Sequence, residues 1–236
     1  MPALMAIAEK YRLVLIEDAT EALGTHYTDG PLKGKFAGTT GDVGVYSFNG
    51  NKIITTSGGG MLVTREKAAR DKALFLATQA REKVLWYQHE EMGYNYRMSN
   101  VVAGIGRGQL LHLQEHRDKK EAIYRAYEEA FRDLPLTMNP YLPDTEPNFW
   151  LSCILLEEGC GVTPMDLLER LNRHNIESRP IWKPMHMQPV FAGYDFITAG
   201  EKPVNEEIFA RGLCLPSDSK MTEAELQYVI DVIRSA

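Results

Sequence analysis

The chain has 236 residues, 44% of them hydrophobic and 25% charged, with a formal net charge of −6. That is enough for one large domain or a domain and a half with a core needing no covalent staples. The acidic balance excludes the electrostatic footprint of a nucleic-acid binder and argues against an anionic membrane surface.

Cys153, Cys160 and Cys214 form no CxxC pair and no Cys/His cluster, so they read as reduced thiols, with no metal site expected. The N-terminus lacks the basic and apolar regions of a signal peptide. No stretch approaches the roughly 18 apolar residues of a membrane span. The expected location is therefore the cytoplasm.

Residues 3–11 carry helix formers, with Leu4, Ile7 and Ala8 at helical spacing. The run Leu13-Val14-Leu15-Ile16 predicts a short strand, apolar on both faces and covered by helices on each side. A helix leading straight into such a strand is half of an α/β unit, and the crossover rule then expects an earlier strand. A polar, Gly-rich stretch follows over residues 24–41. Strands are expected at 43–48 and 61–63, and a helix at 65–79. Residues 99–131 predict a long helical region, where Gly104, Gly106 and Gly108 suit close approach of another backbone.

Four prolines (Pro135, Pro140, Pro143 and Pro147) place a boundary over 134–147. The domains expected are 1–134, the back part of a large α/β domain with its helical linker, and 135–236, a small α+β domain. Within the second, 149–156 predicts a strand and 163–174 a helix capped by Thr163 with Pro164 at its first position. Residues 179–189 read as a loop, and 222–235 as an amphipathic helix capped by Thr222.

Two residues carry most of the chemistry. Asp18 follows the first buried strand and Lys52 follows the second, and ligands of open α/β sheets bind outside the carboxyl ends of strands. A lysine amine condenses with an aldehyde cofactor, while a carboxylate keeps that cofactor's ring nitrogen protonated. Once released, the same lysine shuttles a proton as base and acid. Ser47 is placed to donate to a phosphate, and Glu21 to touch the ring's phenolic oxygen. Residues 18–21 also read equally well as a capping box for a short helix, and a lone lysine among glycines is most often solvated. Gly58-Gly59-Gly60 is not part of a GxxxxGK[ST] or GxGxxG motif, which disfavours a nucleotide triphosphate. His26, His89, His112, His116 and His174 have no convincing partner spacing.

The order of the segments resembles a known family. IEDATEALG (16–24), GDVGVYSFNGNKIITTSGGGML (41–62), GYNYRMSNVVAGIGRGQL (93–110), ESRPIWKPMHMQPVF (177–191) and LCLPSD (213–218) are together similar to the DegT/DnrJ/EryC1/StrS sugar aminotransferases. The resemblance covers essentially the whole chain. It implies a fold-type-I α/β architecture, pyridoxal 5'-phosphate (PLP) as cofactor, and transfer of an amino group, with glutamate as donor, to a nucleotide-linked keto sugar. KPMHMQPVF looks most like members acting on UDP-linked 4-keto-6-deoxy sugars.

By the same resemblance Lys52 is the Schiff-base lysine, Asp18 pairs with the pyridine nitrogen and Ser47 binds the phosphate. Glu21 stands where the family often has glutamine near the phenolic oxygen. Asn95 reaches the phosphate in a neighbouring subunit, which implies a homodimer with shared sites. Arg179, Trp182 and His186 lie on the sugar-nucleotide side. Family members begin with a longer front segment that cradles the phosphate on a helix N-terminus, so the chain alone is expected to hold PLP weakly. Two alternatives stay open: a catalytically silent chain that only dimerises with or complements another, and a sugar dehydratase of the same fold, which Lys52 disfavours.

Overall fold

Pro2–Tyr11 forms the first helix, α1, with proline in its opening turn and Arg12 closing it in the left-handed conformation at φ 54°. The computed structural model describes residues 1–200 and 202–235. The chain divides into two compact units, Met1–Asp118 with Tyr141–Trp150, and Lys119–Pro140 with Leu151–Ala236.

In the first unit, β1 (Ile16–Asp18), β3 (Val43–Ser47) and β4 (Gly60–Thr64) make a three-stranded sheet in the order β1-β3-β4. β1 and β3 run parallel, with Asp18 opposite Val45, and β4 returns antiparallel, with Ser47 opposite Gly60. Opposed residues share a face, so Ile16, Asp18, Val43, Val45 and Ser47 lie on one side, and Glu17, Gly44 and Tyr46 on the other. The Glu17 side is covered by the loop over residues 36–41. The approach there is so close that a Cβ on Gly44 would fall 1.8 Å from the Gly38 carbonyl oxygen.

The apolar run at residues 13–16 departs from expectation. The strand begins at Ile16 rather than Leu13, and Leu13, Val14 and Ile16 are all exposed. Only one face of β1 is covered among the described residues, so the hydrophobic run is not the doubly buried strand its composition implied. The boundary shift follows from pairing: Leu15 contributes through its carbonyl to the amides of Asp42 and Val43, and the ladder proper starts one residue later.

β2 (His26–Tyr27) pairs antiparallel with β6 (Thr145–Glu146). Buried Arg117 reinforces this junction, donating to Glu146 Oε1 at 2.6 Å and to the Pro147 carbonyl at 3.3 Å. α2 spans Lys67–Ala77. The expected long helical region is two helices, α3 (Asn100–Leu110, capped by Ser99) and α4 (Leu113–Ala130). Of its three glycines only Gly106 meets anything, a Cβ there falling 2.9 Å from Thr56 Cγ2; the space at Gly104 and Gly108 is open.

The second unit is built on an antiparallel sheet in the order β5-β7-β9-β8, from Leu136–Met138, Ser152–Leu156, Gly212–Leu215 and Arg179–Pro180. α5 (Pro164–Arg173), α6 (Val204–Arg211) and α7 (Glu223–Arg234) complete it. α5 and α7 both begin with full capping boxes, Thr163 with Asp166 and Thr222 with Glu225. Tyr127 of α4, Phe131 just beyond it, Leu171 of α5 and Leu213 of β9 are fully enclosed at the centre of this core. Cys153 and Cys214, far apart in sequence, are register partners with Sγ atoms 3.6 Å apart. No described helix is long and apolar enough to cross a membrane.

Candidate active site

Lys52 sits in a closed loop beyond β3. Its amide donates to the Asn49 carbonyl, Phe48 N–H donates to Gly59, and Thr56 N–H returns to Phe48 at 2.9 Å. Ile53 and Ile54, both buried, plug the loop into the unit, and His116 Nδ1 lies 2.9 Å from the Ile53 carbonyl. The sequence therefore places the lysine by burying its two successors, leaving its own side chain to point elsewhere.

The Lys52 ammonium donates to Glu21 Oε1 at 3.1 Å. It also stands 4.3 Å from the centre of the Trp150 ring, and its side chain is only 12% exposed. Glu21 is not the third residue of a helix, as a capping box would require. Residues 19–25 form successive turns, Ala22 N–H to Ala19 and Thr25 N–H to Ala22. The Glu21 carboxylate is thereby freed for the lysine.

Asp18 ends β1, exposed, with its Oδ1 accepting the Thr20 N–H at 3.2 Å. Ser47 ends β3 on the same sheet face, and its Oγ accepts the Asn49 N–H at 3.3 Å. Asn95, exposed, lies in a strand-like bridge to Thr78 at the end of α2, flanked by Tyr94 and Tyr96, whose rings stack at 5.0 Å. In the second unit Arg179 donates to Glu177 Oε1 through Nε and a terminal nitrogen at 3.1 and 2.6 Å. Trp182 is exposed. His186 Nε2 is 2.8 Å from Glu206 Oε1, and its ring stacks on Phe196 at 3.6 Å. The structure thus joins Lys52 directly to Glu21 and sets Asp18 and Ser47 on one face. It ties Arg179 and His186 to separate carboxylates.

Two residues around the lysine, Trp150 and Asn148, and one buried carboxylate, Glu17, carry no signal of their partners in the sequence. Trp150 lies under the ammonium. Asn148 donates through Nδ2 to the carbonyls of Glu21 at 2.8 Å and Leu23 at 3.1 Å. Glu17, buried on the opposite sheet face, accepts N–H bonds from Gly38, Thr40 and Gly41 at 2.9, 2.6 and 2.5 Å. Burial pushes its carboxyl up, but the Gly41, Gly38 and Thr40 amides outweigh this and hold it below the usual range. A carboxylate one residue before Asp18 was the available signal; its long-range partners were not.

Lys52 lines neither of two cavities in the described residues. One of about 370 Å³ is lined by Met5, Leu13, Thr40 and Arg65, and another of about 410 Å³ by His174, Lys220 and Tyr228.

The sequence profile of the DegT/DnrJ/EryC1/StrS aminotransferases matches residues 1–234. The chain belongs to that family. This DegT/DnrJ/EryC1/StrS member is 46% identical over 235 residues to EpsN of Bacillus subtilis (strain 168), provisionally named a pyridoxal phosphate-dependent aminotransferase; the match covers 99% of this chain and 59% of EpsN. It is 34% identical over 232 residues to the GDP-perosamine synthase of Caulobacter vibrioides, covering 98% of this chain and 60% of that protein. A solved DegT/DnrJ/EryC1/StrS aminotransferase from Brucella abortus superposes with a TM-score of 0.84 at 26% identity, over 98% of this chain and 59% of the other. The α/β fold is that of the PLP-dependent aminotransferases. The chain spans about three-fifths of the length of the curated relatives it matches.

Proposed function

We propose that this chain carries the cofactor lysine and part of the active site of a PLP-dependent aminotransferase acting on a nucleotide-linked keto sugar. The observation that supports it most is the sequestered Lys52 amine, held just past β3 by Glu21 and Trp150, beside a strand that ends in Asp18. An amine, a carboxylate and a hydroxyl at neighbouring strand ends match the three parts of PLP that need holding: aldehyde, ring nitrogen and phosphate. When bound, the cofactor supplies the electron sink that acidifies the carbon bearing the amino group.

The residues' own tasks follow from their chemistry. Lys52 provides the covalent attachment and, when released, carries the proton. Asp18 keeps a proton on the ring nitrogen, and Ser47 donates to the phosphate. Glu21, an acceptor only when ionised, takes a hydrogen bond from the phenolic position or from Lys52 itself. By the family resemblance, Asn95 serves the phosphate of a second copy in a homodimer, and Arg179, Trp182 and His186 serve the nucleotide sugar. Glutamate is the amino donor. The Caulobacter relative's name, a GDP-perosamine synthase, supports the nucleotide-sugar class.

The test is release of 2-oxoglutarate from glutamate by the PLP-supplied chain with GDP- or UDP-linked 4-keto-6-deoxy sugars. Lys52→Ala is expected to lower the rate at least ~100-fold, the lower end of what positioned proton transfer contributes. Undiminished release from Lys52→Ala contradicts the assignment. A second reading, a chain that only dimerises or complements another, draws on exposed Ile16 and Leu62 on the face shared with Asp18. It requires that PLP never be retained on Lys52.

A further inference from the structure

Lys52 is held by two unlike contacts. The Glu21 carboxylate is half exposed, and an ion pair in that setting is worth a factor of no more than about five. The Trp150 face lies 4.3 Å from the ammonium, and the tryptophan is buried. A cation–π contact is worth about 2- to 5-fold at an exposed site and about 30-fold when desolvated, and the Lys52 side chain is only 12% exposed, so the ring outweighs the carboxylate.

The ring is itself fixed. Its indole N–H donates to the Asn51 carbonyl, immediately before Lys52, at 2.7 Å. Its backbone N–H donates to Asn148 Oδ1 at 3.0 Å, while Asn148 Nδ2 binds the carbonyls of Glu21 and Leu23 and its own N–H donates to Thr25 Oγ1 at 3.1 Å. Between them buried Phe149 is held at φ 50°, a conformation a bulky residue keeps only where its surroundings over-determine it. Tyr141 packs edge-on against it at 4.9 Å. The Asn148-Phe149-Trp150 segment thus bolts the turn carrying Glu21 to the loop carrying Lys52.

We propose that Trp150 is a positioning residue for Lys52: its ring, locked by Asn148 and the Asn51 carbonyl, holds the amine beside Glu21 and out of bulk solvent until an aldehyde takes it. This rests on the reading of Lys52 as the cofactor lysine, and two separate measurements keep the two ideas apart. The first needs no cofactor. The chain is reductively methylated with formaldehyde and cyanoborohydride, and each lysine's rate is read by peptide mass spectrometry.

Trp150→Leu is expected to raise the Lys52 rate by about 2- to 30-fold while buried Lys120 keeps its rate. Trp150→Phe, which retains a ring face but loses the indole bond, is expected to stay within about twofold. The second measurement is borohydride capture of PLP on Lys52, expected to slow in Trp150→Leu and recover in Trp150→Phe. An unchanged Lys52 methylation rate in Trp150→Leu overturns the positioning role. So does a parallel rise at Lys120, which would mark general loosening. Failure of the wild-type chain to capture PLP counts against the functional reading, and the methylation rates still decide the role of Trp150.

Discussion

At the scale of single residues, the sequence made Asp18 and Lys52 visible because strand ends are visible: a β-rich run followed by an acid, and another followed by glycines and an amine. What pairs with them was not visible. The spacing from Asp18 to Glu21 fits a capping box equally well, and only the turns at residues 19–25, with the Glu21–Lys52 contact, decide against it. Trp150 lies 98 residues beyond Lys52 in sequence, and no local pattern announces such a partner. Glu17 offers a residue-scale prediction. Its folded-state carboxyl sits below the usual value, so its stabilisation is full above the unfolded value of about 4.3 and is lost as pH falls through the folded one. Glu17→Gln should lower unfolding stability at pH 7 by about 1–3 kcal/mol, the cost of leaving buried amides poorly matched, and the gap to wild type should close in acid. Urea midpoints at pH 7 and pH 3 measure this.

At the scale of elements, caps and periodicity were the reliable signals. Thr163 and Thr222 are legible in the sequence as helix starts, and both occupy the cap position with complete capping boxes. Thr222→Ala should cost about 0.5–2 kcal/mol, measured as a fall in the denaturant midpoint without a change in slope. Leu171, fully enclosed in the second core, should cost about 2–5 kcal/mol when cut to alanine. The short strands were harder to read. β5 and β6 lie among four prolines, which read as a boundary because proline removes ladder donors. β5 is an edge strand, where that loss is tolerated. β8 is two residues long and gains its identity only from pairing with β9. The Leu13–Ile16 run shows the opposite error: composition indicated double burial, while burial depends on what lies across the sheet, which the run does not encode.

At the scale of the whole molecule, the order of motifs carried more than any one motif. Family and fold were legible from five segments spread along the chain, and the profile match over residues 1–234 bears them out. The division into units was less legible, since α4 runs through the boundary at Asp118 and residues 141–150 belong with the first unit. Those ten residues include Asn148 and Trp150, so the segment that completes the surroundings of Lys52 comes from beyond the proline-rich stretch. The central claim is that an amine stored against Trp150 and Glu21 is the one that takes an aldehyde cofactor. Borohydride reduction of the chain with PLP, followed by peptide mapping, tests it directly. The account predicts the phosphopyridoxyl mass on the peptide containing Lys52, absent in Lys52→Arg. A label spread over surface lysines with none enriched at position 52 contradicts it.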